Sequence, residues 1–551
     1  MSRRQCDKKK IRQCLTFMML LSLFPISIRA NEIVYNLSFN NESSVHIEAI
    51  FVCDTFQKVI FPSSFANNQN LFNHITNITF SENINLKPSS KENNVIQLEH
   101  LHSQLKFEYD VNLNLSPIFY DTFYAPFKKE NLVHLIGAAV FAFPDIVNEE
   151  TSFRININTL PTGWKVYTTY TNPLKVTNSI AVKGVSNLKE ALVIFMRKGE
   201  HTVLQDTNTS VFLLKDDKLT RKSEIDELVK QCVSVLRKYW RDTDKFYIVN
   251  ITTFDSLDQG VYYRATCFKN GITVGLSENF DYRSTLAKRI LLHEITHNWI
   301  GIKLTPEDES KYIWFTEGFT EYIAWEILNK ERWITEEEYV NHYNEVLRNV
   351  FLSEFRNAPY SKIESDFWNF PGAKDIPYAK GSLFALQMNY LVQKNSQAEL
   401  WDVLHFLLEQ KGMDKETVPI TDSILSKAFA YFCKECQFLD LKRQYIDRGN
   451  DILLSDKIFG GKYHLKEVPI GQFELGFDWD NNSNIITDVK RESAAYEAGL
   501  REGATLLSHS IFFGHPETPV EIKIKYTRRT QSVTFLPQKK EKILVPQFIK
   551  N

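Results

Sequence analysis

The sequence predicts a multidomain α+β protein with a β-rich N-terminal part, a mixed middle part that turns helical, and a β-rich C-terminal part. Three observations carry that prediction. At 551 residues the chain exceeds what one hydrophobic core ordinarily organises. Its first third alternates apolar and polar residues with period two, and the stretch beyond Trp325 carries apolar stripes at helical spacing.

The N-terminus comes first. Arg3, Arg4, Lys8, Lys9, Lys10 and Arg12 precede an apolar run from Leu15 to Ile28, and Ala30 follows at a small-residue cleavage position. Residues 1–30 are therefore expected to be a signal peptide. The competing reading, a membrane anchor, needs ~20 apolar residues, and Pro25 interrupts a run shorter than that. The mature chain is expected to be secreted or periplasmic, with no stable membrane span after signal removal.

Residues 31–185 form the expected N-terminal β domain. Ile33-Val34-Tyr35-Asn36-Leu37-Ser38-Phe39, Leu105-Lys106-Phe107-Glu108-Tyr109 and Phe153-Arg154-Ile155-Asn156-Ile157 alternate as half-buried strands do, and Asn67-Asn68-Gln69-Asn70 punctuates them as a loop. Sequons stand at Asn36, Asn77 and Asn114. From 186 to 330 strands mix with helices: Ala191 to Met196 and Phe246 to Ile251 read as apolar strands, and Ile225 to Trp240 as an amphipathic helix. Residues 331–460 are expected to be helical, with Leu383, Leu386, Met388 and Leu391 along one stripe. Strands return over 468–540.

Composition excludes several classes of function. A 43% hydrophobic and 13% aromatic content argues against disorder. Lys+Arg at 65 against Asp+Glu at 67 leaves a net charge of −2, so no general attraction to nucleic acid is expected. Cys53, Cys232, Cys267, Cys433 and Cys436 remain beyond the leader. The single Cys433-Lys434-Glu435-Cys436 motif lacks the second pair a structural zinc site needs, and is expected to be a disulfide or two buried thiols.

The chemistry lies in the middle. His293-Glu294-Ile295-Thr296-His297 closes an apolar-periodic run that begins near Ser284. One helical turn separates the two histidines, so both imidazoles can address one ion, while Glu294 projects ~100° away from His293, toward a metal-bound water. A catalytic zinc takes three protein ligands, and Glu317 in Trp314-Phe315-Thr316-Glu317-Gly318-Phe319 is the natural third. Phe319, Tyr322, Ile323 and Ile327 would face the core of that second helix, and Thr305-Pro306-Glu307-Asp308-Glu309 supplies a reversing loop. Glu321, one turn further, is either a hydrogen-bond partner of a ligand imidazole or a solvated surface group.

These segments, with Pro377-Tyr378-Ala379-Lys380-Gly381, resemble the ordered motifs of the gluzincin aminopeptidases, and within them the glycyl aminopeptidase family. The resemblance implies a β-rich N-terminal domain, a thermolysin-like catalytic domain with a helical extension, and a C-terminal PDZ domain. It implies one zinc ion held by His293, His297 and Glu317, with Glu294 as the base that activates the zinc-bound water and Tyr378 aimed at the oxyanion of the tetrahedral intermediate. It also implies an aminopeptidase that prefers small N-terminal residues, glycine or alanine, on peptide substrates.

One departure bears on specificity. The family holds the substrate amine with a glutamate of a Gly-Gly-x-Glu-type segment, and the matching stretch here is Gln259-Gly260-Val261-Tyr262-Tyr263. Gly260 and Tyr262 are the substrate-binding candidates, with Tyr262 in place of the carboxylate. Gly275-Leu276-Ser277-Glu278-Asn279 is a second candidate, nearer His293 than the pattern expects. A zinc endopeptidase therefore stays open, as does a non-catalytic peptide-binding protein. Glu474-Leu475-Gly476-Phe477 and Ala494 to Gly503 resemble a PDZ domain, with Leu475, Gly476 and Phe477 offering N–H groups to a peptide or protein C-terminus; Ala504 stands where the family commonly has aspartate.

Overall fold

A computed structural model describes residues 32–551 apart from 42, 52–57, 67, 82–85, 89–93, 99–104, 116–117, 119–121, 176–177, 207–208, 256–260, 412–416, 481–482 and 528. The expected leader over 1–30, Cys53 and Gly260 lie outside the described residues. The chain divides into two compact units, Met1–Arg237 with Arg241–Ser284, and Lys238–Trp240 with Thr285–Asn551.

The first unit is built on sheets. Its six-stranded sheet runs in the order Ser179–Lys183, Ser152–Thr159, Glu32–Asn41, Ser44–Phe51, Leu105–Asn112, Ile75–Phe80. Along Leu105–Asn112 buried and half-buried residues alternate one for one, the burial that period-two patterning encodes. Tyr35, Phe51, Phe107 and Tyr109 from this face pack with Phe141 and Phe61 in one aromatic-rich core.

A second sheet has a different character. In the order His201–Asp206, Thr209–Lys215, Phe246–Phe254, Gly271–Ser277, Tyr263–Phe268, its central strands pair in parallel. Those strands are buried on both faces, Gly271–Ser277 completely, as parallel strands covered on either side must be. Helix α1 (Lys222–Trp240) supplies the crossover between two of them.

The second unit is helical, then β. Its longer helices are α2 (Thr285–Thr296), α3 (Glu309–Lys330), α4 (Glu336–Leu352), α5 (Tyr360–Asp366), α6 (Pro371–Asn395), α7 (Leu400–Glu409) and α8 (Asp422–Phe432). The stretch 186–330, expected as one catalytic domain, thus places its sheet in the first unit and α2 and α3 in the second. α4 begins with a capping box, Thr335 accepting from the Glu338 N–H while the Glu338 carboxylate accepts from the Thr335 N–H. Cys433 and Cys436 form a disulfide just beyond α8.

The β part of this unit is a long antiparallel ribbon, Tyr463–Phe473 with Gln538–Lys550, and a five-stranded antiparallel sheet over 478–535. That sheet has its own core of Phe477, Ile486, Leu500, Ile522, Ile524 and Val533. Among the described residues no helix is long and apolar enough to cross a membrane.

The packing of α3 against α6 sets the site. A Cβ on Gly318 would lie 2.3 Å from the Gly381 Cα, and one on Gly381 would lie 2.1 Å from the Trp314 carbonyl oxygen. The two backbones touch, which only glycine on both sides permits. Glu317 precedes one of these glycines and Tyr378 lies one turn before the other, so the contact brings both side chains to a common region.

Candidate metal centre

α2 supplies the first two groups. Ala287, Ile290, Leu291, Leu292 and Ile295 anchor it in the core, which leaves His293 and His297 one turn apart on the other side. α3 supplies Glu317, held in place by its buried neighbours Trp314, Phe315, Phe319, Tyr322, Ile323 and Ile327.

Three ligand atoms converge. His293 Nε2 lies 3.2 Å from Glu317 Oε2 and 3.2 Å from His297 Nε2, and His297 Nε2 lies 3.4 Å from Glu317 Oε2. Ligands on a tetrahedral ion with bonds of 2.0–2.1 Å stand about 3.3–3.4 Å apart, so the triangle has the size zinc requires. Among the described residues this is the one group of three that could hold a metal ion in this way.

The rings are oriented from behind. His293 Nδ1 lies 2.9 Å from Glu321 Oε2, and His297 Nδ1 donates to the Ile300 carbonyl at 3.1 Å, so both Nε2 atoms are turned to the centre of the triangle, where a neutral ring would offer its lone pair to a metal. Glu321 is buried, and its carboxylate also accepts from Arg289 Nη1 at 3.0 Å and from Trp325 Nε1 at 2.9 Å. This decides between the two sequence readings of Glu321 in favour of the imidazole partner. Neither Arg289 nor Trp325 stood out in the sequence; their positions four residues before His293 and four after Glu321 are the signal a helical-row reading uses.

Electrostatics follow from the crowding. Burial opposes charge on His293, but its bonds to Glu317 and Glu321 outweigh that and raise it to about 10. Burial likewise opposes charge on His297, and the Glu317 carboxylate prevails to raise it. Glu317, despite burial, is held well below the usual carboxylate range by His297 and His293. The pocket is therefore an electrostatic cage that favours positive charge at its centre. Glu294, beside the ligands, is pushed upward chiefly by burial.

Tyr378 stands over the same site. Its ring stacks against His293 with centroids 6.1 Å apart, and burial, with the Glu317 and Glu294 carboxylates adding, keeps the phenol protonated. Lys380 is buried with its ammonium on the carbonyls of Arg356, Gly449 and Asn450, which ties α6 to the chain beyond α8. Glu309, in the first turn of α3, was not singled out by the sequence. Glu309 is an exposed residue; partial desolvation of its carboxyl raises it and the Glu317 charge adds, and among the described residues it makes no side-chain hydrogen bond or ion pair.

The remaining candidates are described within their own units. Tyr262, in the first unit, is 39% exposed and bonds through its N–H to Ser277 Oγ at 3.0 Å. Gly275 is pressed under the Phe123 ring, where a Cβ would come within 2.6 Å, and Glu278 faces Lys218 at 4.0 Å. In the C-terminal sheet Phe477 is buried, while Gly476 has a φ of +79° and its carbonyl accepts from the Lys490 N–H at 2.9 Å.

Comparison with known proteins bears on this geometry. Residues 287–366, which contain His293, Glu294, His297, Glu317 and Glu321, match the M61 glycyl aminopeptidase family. No curated protein matches the chain. Among solved structures, an aminopeptidase N family protein from Idiomarina loihiensis superposes with a TM-score of 0.68 at 14% identity, covering 93% of this chain and 97% of that one. It shares the fold. A substituted form of an M1 zinc metallopeptidase from Deinococcus radiodurans gives a TM-score of 0.49 at 11% identity, covering 77% of this chain and 96% of that one. Over residues 287–366, the stretch that contributes the whole ligand triangle, the chain is similar to the M61 glycyl aminopeptidase family, and its ligand set is that of a zinc metallopeptidase.

Proposed function

We propose that the chain is an aminopeptidase that releases small N-terminal residues, glycine or alanine, from peptides at a single zinc ion held by His293, His297 and Glu317. The observation that carries this reading is the triangle of ligand atoms with edges of 3.2–3.4 Å, beside Glu294 and Tyr378. A zinc ion held by these three residues would supply Lewis acidity toward the scissile carbonyl and toward a water of pKa ~7. Glu294 takes the proton of the attacking water and passes it to the departing amine, a role suited to a carboxylate whose pKa burial has raised. Tyr378 donates its phenolic hydrogen to the developing oxyanion.

The free amine of the substrate needs an anion. Tyr262 supplies none, and Glu321 is committed to His293 and Arg289. Glu309 opens α3, eight residues or about 12 Å of helix rise before Glu317, with an exposed carboxylate that has no side-chain partner among the described residues, and we assign it to the amine. The N–H groups of Leu475, Gly476 and Phe477 would receive a peptide or protein C-terminus in a PDZ-like manner, supported by the left-handed turn at Gly476 and by the edge strand Asp478–Asp480 that follows. Export through residues 1–30 places the enzyme outside the cytoplasm.

The test is a pair of measurements. Glu294→Gln is expected to keep stoichiometric zinc and lose turnover; retained turnover would reject the mechanism. Free and N-acetylated peptides are then compared: cleavage of the acetylated series at an equal rate would replace the aminopeptidase with an endopeptidase.

A further inference from the structure

The ligand helices face each other in two rows at four-residue spacing. Arg289 and His293 line α2 with His297 following directly after its last residue, and Glu317, Glu321 and Trp325 line α3. The lower pairs hold the metal triangle; the upper ones hold a carboxylate. Glu321 Oε2 meets His293 Nδ1 at 2.9 Å, both Glu321 oxygens lie 3.0 Å from Arg289 Nη1, and Glu321 Oε1 accepts from Trp325 Nε1 at 2.9 Å. Trp325 is fixed in turn by His342 of α4, whose ring stacks on it with centroids 3.7 Å apart and planes 10° apart.

A carboxylate that accepts from a ligand imidazole must be held, because a glutamate has three side-chain torsions to lose. Here an arginine and an indole hold it. Both belong to the helices that carry the ligands, so the carboxylate cannot shift without moving the metal site itself.

We propose that Arg289 and Trp325 are positioning residues of the metal centre. They clamp Glu321 so that His293 keeps the tautomer and ring angle that present Nε2 to zinc. The inference rests on the zinc reading of the triangle and adds to it two residues that touch neither metal nor substrate.

The experiment measures the zinc dissociation constant of the full chain by competition with a chromophoric chelator, with the thermal transition of the metal-free protein alongside. Arg289→Met, Trp325→Phe and Glu321→Gln are each expected to weaken zinc by ~10–100-fold. Arg289→Lys is expected to recover much of that loss. Adding Arg289→Met to Glu321→Gln should weaken zinc by no more than ~3-fold further, because the clamp acts only through that carboxylate. The proposal is overturned if both Arg289→Met and Trp325→Phe bind zinc within ~2-fold of the unsubstituted chain, or if the losses multiply in the double variant. Should Arg289→Met fail to fold, Trp325→Phe carries the test alone. An unsubstituted chain without stoichiometric zinc would instead sink the zinc reading, a different and separately visible result.

Discussion

Replacing Gly318 with alanine tests the helix contact that brings Glu317 and Tyr378 together. The added Cβ would stand 2.3 Å from the Gly381 Cα and 2.5 Å from its carbonyl carbon, both backbone atoms that no rotamer change can move. Carbon atoms settle at ~3.5–4.0 Å, so α3 and α6 must part by roughly 1.2–1.7 Å. Overpacking of this kind costs up to ~3 kcal/mol, and helix propensity returns about 1 for glycine to alanine, leaving a net loss of ~2 kcal/mol. For a unit of this size that lowers Tm by ~4–8 °C. The larger effect is on chemistry: moving Tyr378 ~1 Å from its place opposite the ligands is expected to cost ~100-fold in kcat/KM. Both zinc-bearing helices remain, so the metal stays. The assay combines a thermal melt, zinc analysis and hydrolysis of an alanyl chromogenic substrate. Gly372→Ala is the control on the facing helix α6, where the nearest atom is a Phe355 ring carbon at 3.3 Å. A Gly318→Ala variant with unchanged Tm and activity within ~3-fold would refute the contact argument.

Other substitutions probe separate parts. Tyr378→Phe should lower kcat by ~10²–10³-fold with KM little altered, measured by steady-state kinetics on the same substrate; an unchanged kcat would remove the oxyanion role. His134 is fully buried, with Nε2 3.1 Å from Thr273 Oγ1, and burial depresses it to about 3. The unfolded chain therefore takes up a proton near pH 6.5 that the folded one refuses, and stability should fall by up to ~1.4 kcal/mol per unit as pH drops from about 6.5 towards 3. Denaturant titrations of His134→Gln over that range should lack this slope, and a parallel slope would reject the assignment. At Gly476, where φ is +79° and a Cβ would meet Ser493 Cβ at 2.5 Å, alanine should destabilise the C-terminal sheet by ~2 kcal/mol or more, read by hydrogen exchange of Ile522 and Ile524.

Legibility in the sequence followed the range of the interaction concerned. The alternation of Leu105 to Tyr109 announced a strand, and the structure buries its residues one for one, because a strand's two faces are defined residue by residue. The His293 and His297 spacing was readable for the same reason, one helical turn being a local fact. Glu321 was not: four residues from Glu317, it could equally have faced water, and only the packing of α2 on α3 put it behind His293. Arg289 and Trp325 carried only their four-residue offsets from His293 and Glu321, since an arginine on a helix is ordinarily a solvated group and a tryptophan ordinarily core.

By itself the sequence determined which side chains are available for chemistry: two imidazoles one turn apart, a glutamate between them, and a second helix carrying Glu317 before a glycine. Whether these groups meet is a matter of long-range packing. The backbone contact of Gly318 with Gly381, and the clamp of Arg289 and Trp325 on Glu321, join residues 63 and 36 positions apart and turn separate helices into one site. Period and propensity reach only a few residues along the chain, whereas the free energy that chooses between packings is spread over the whole core, so this part was decided by tertiary structure alone.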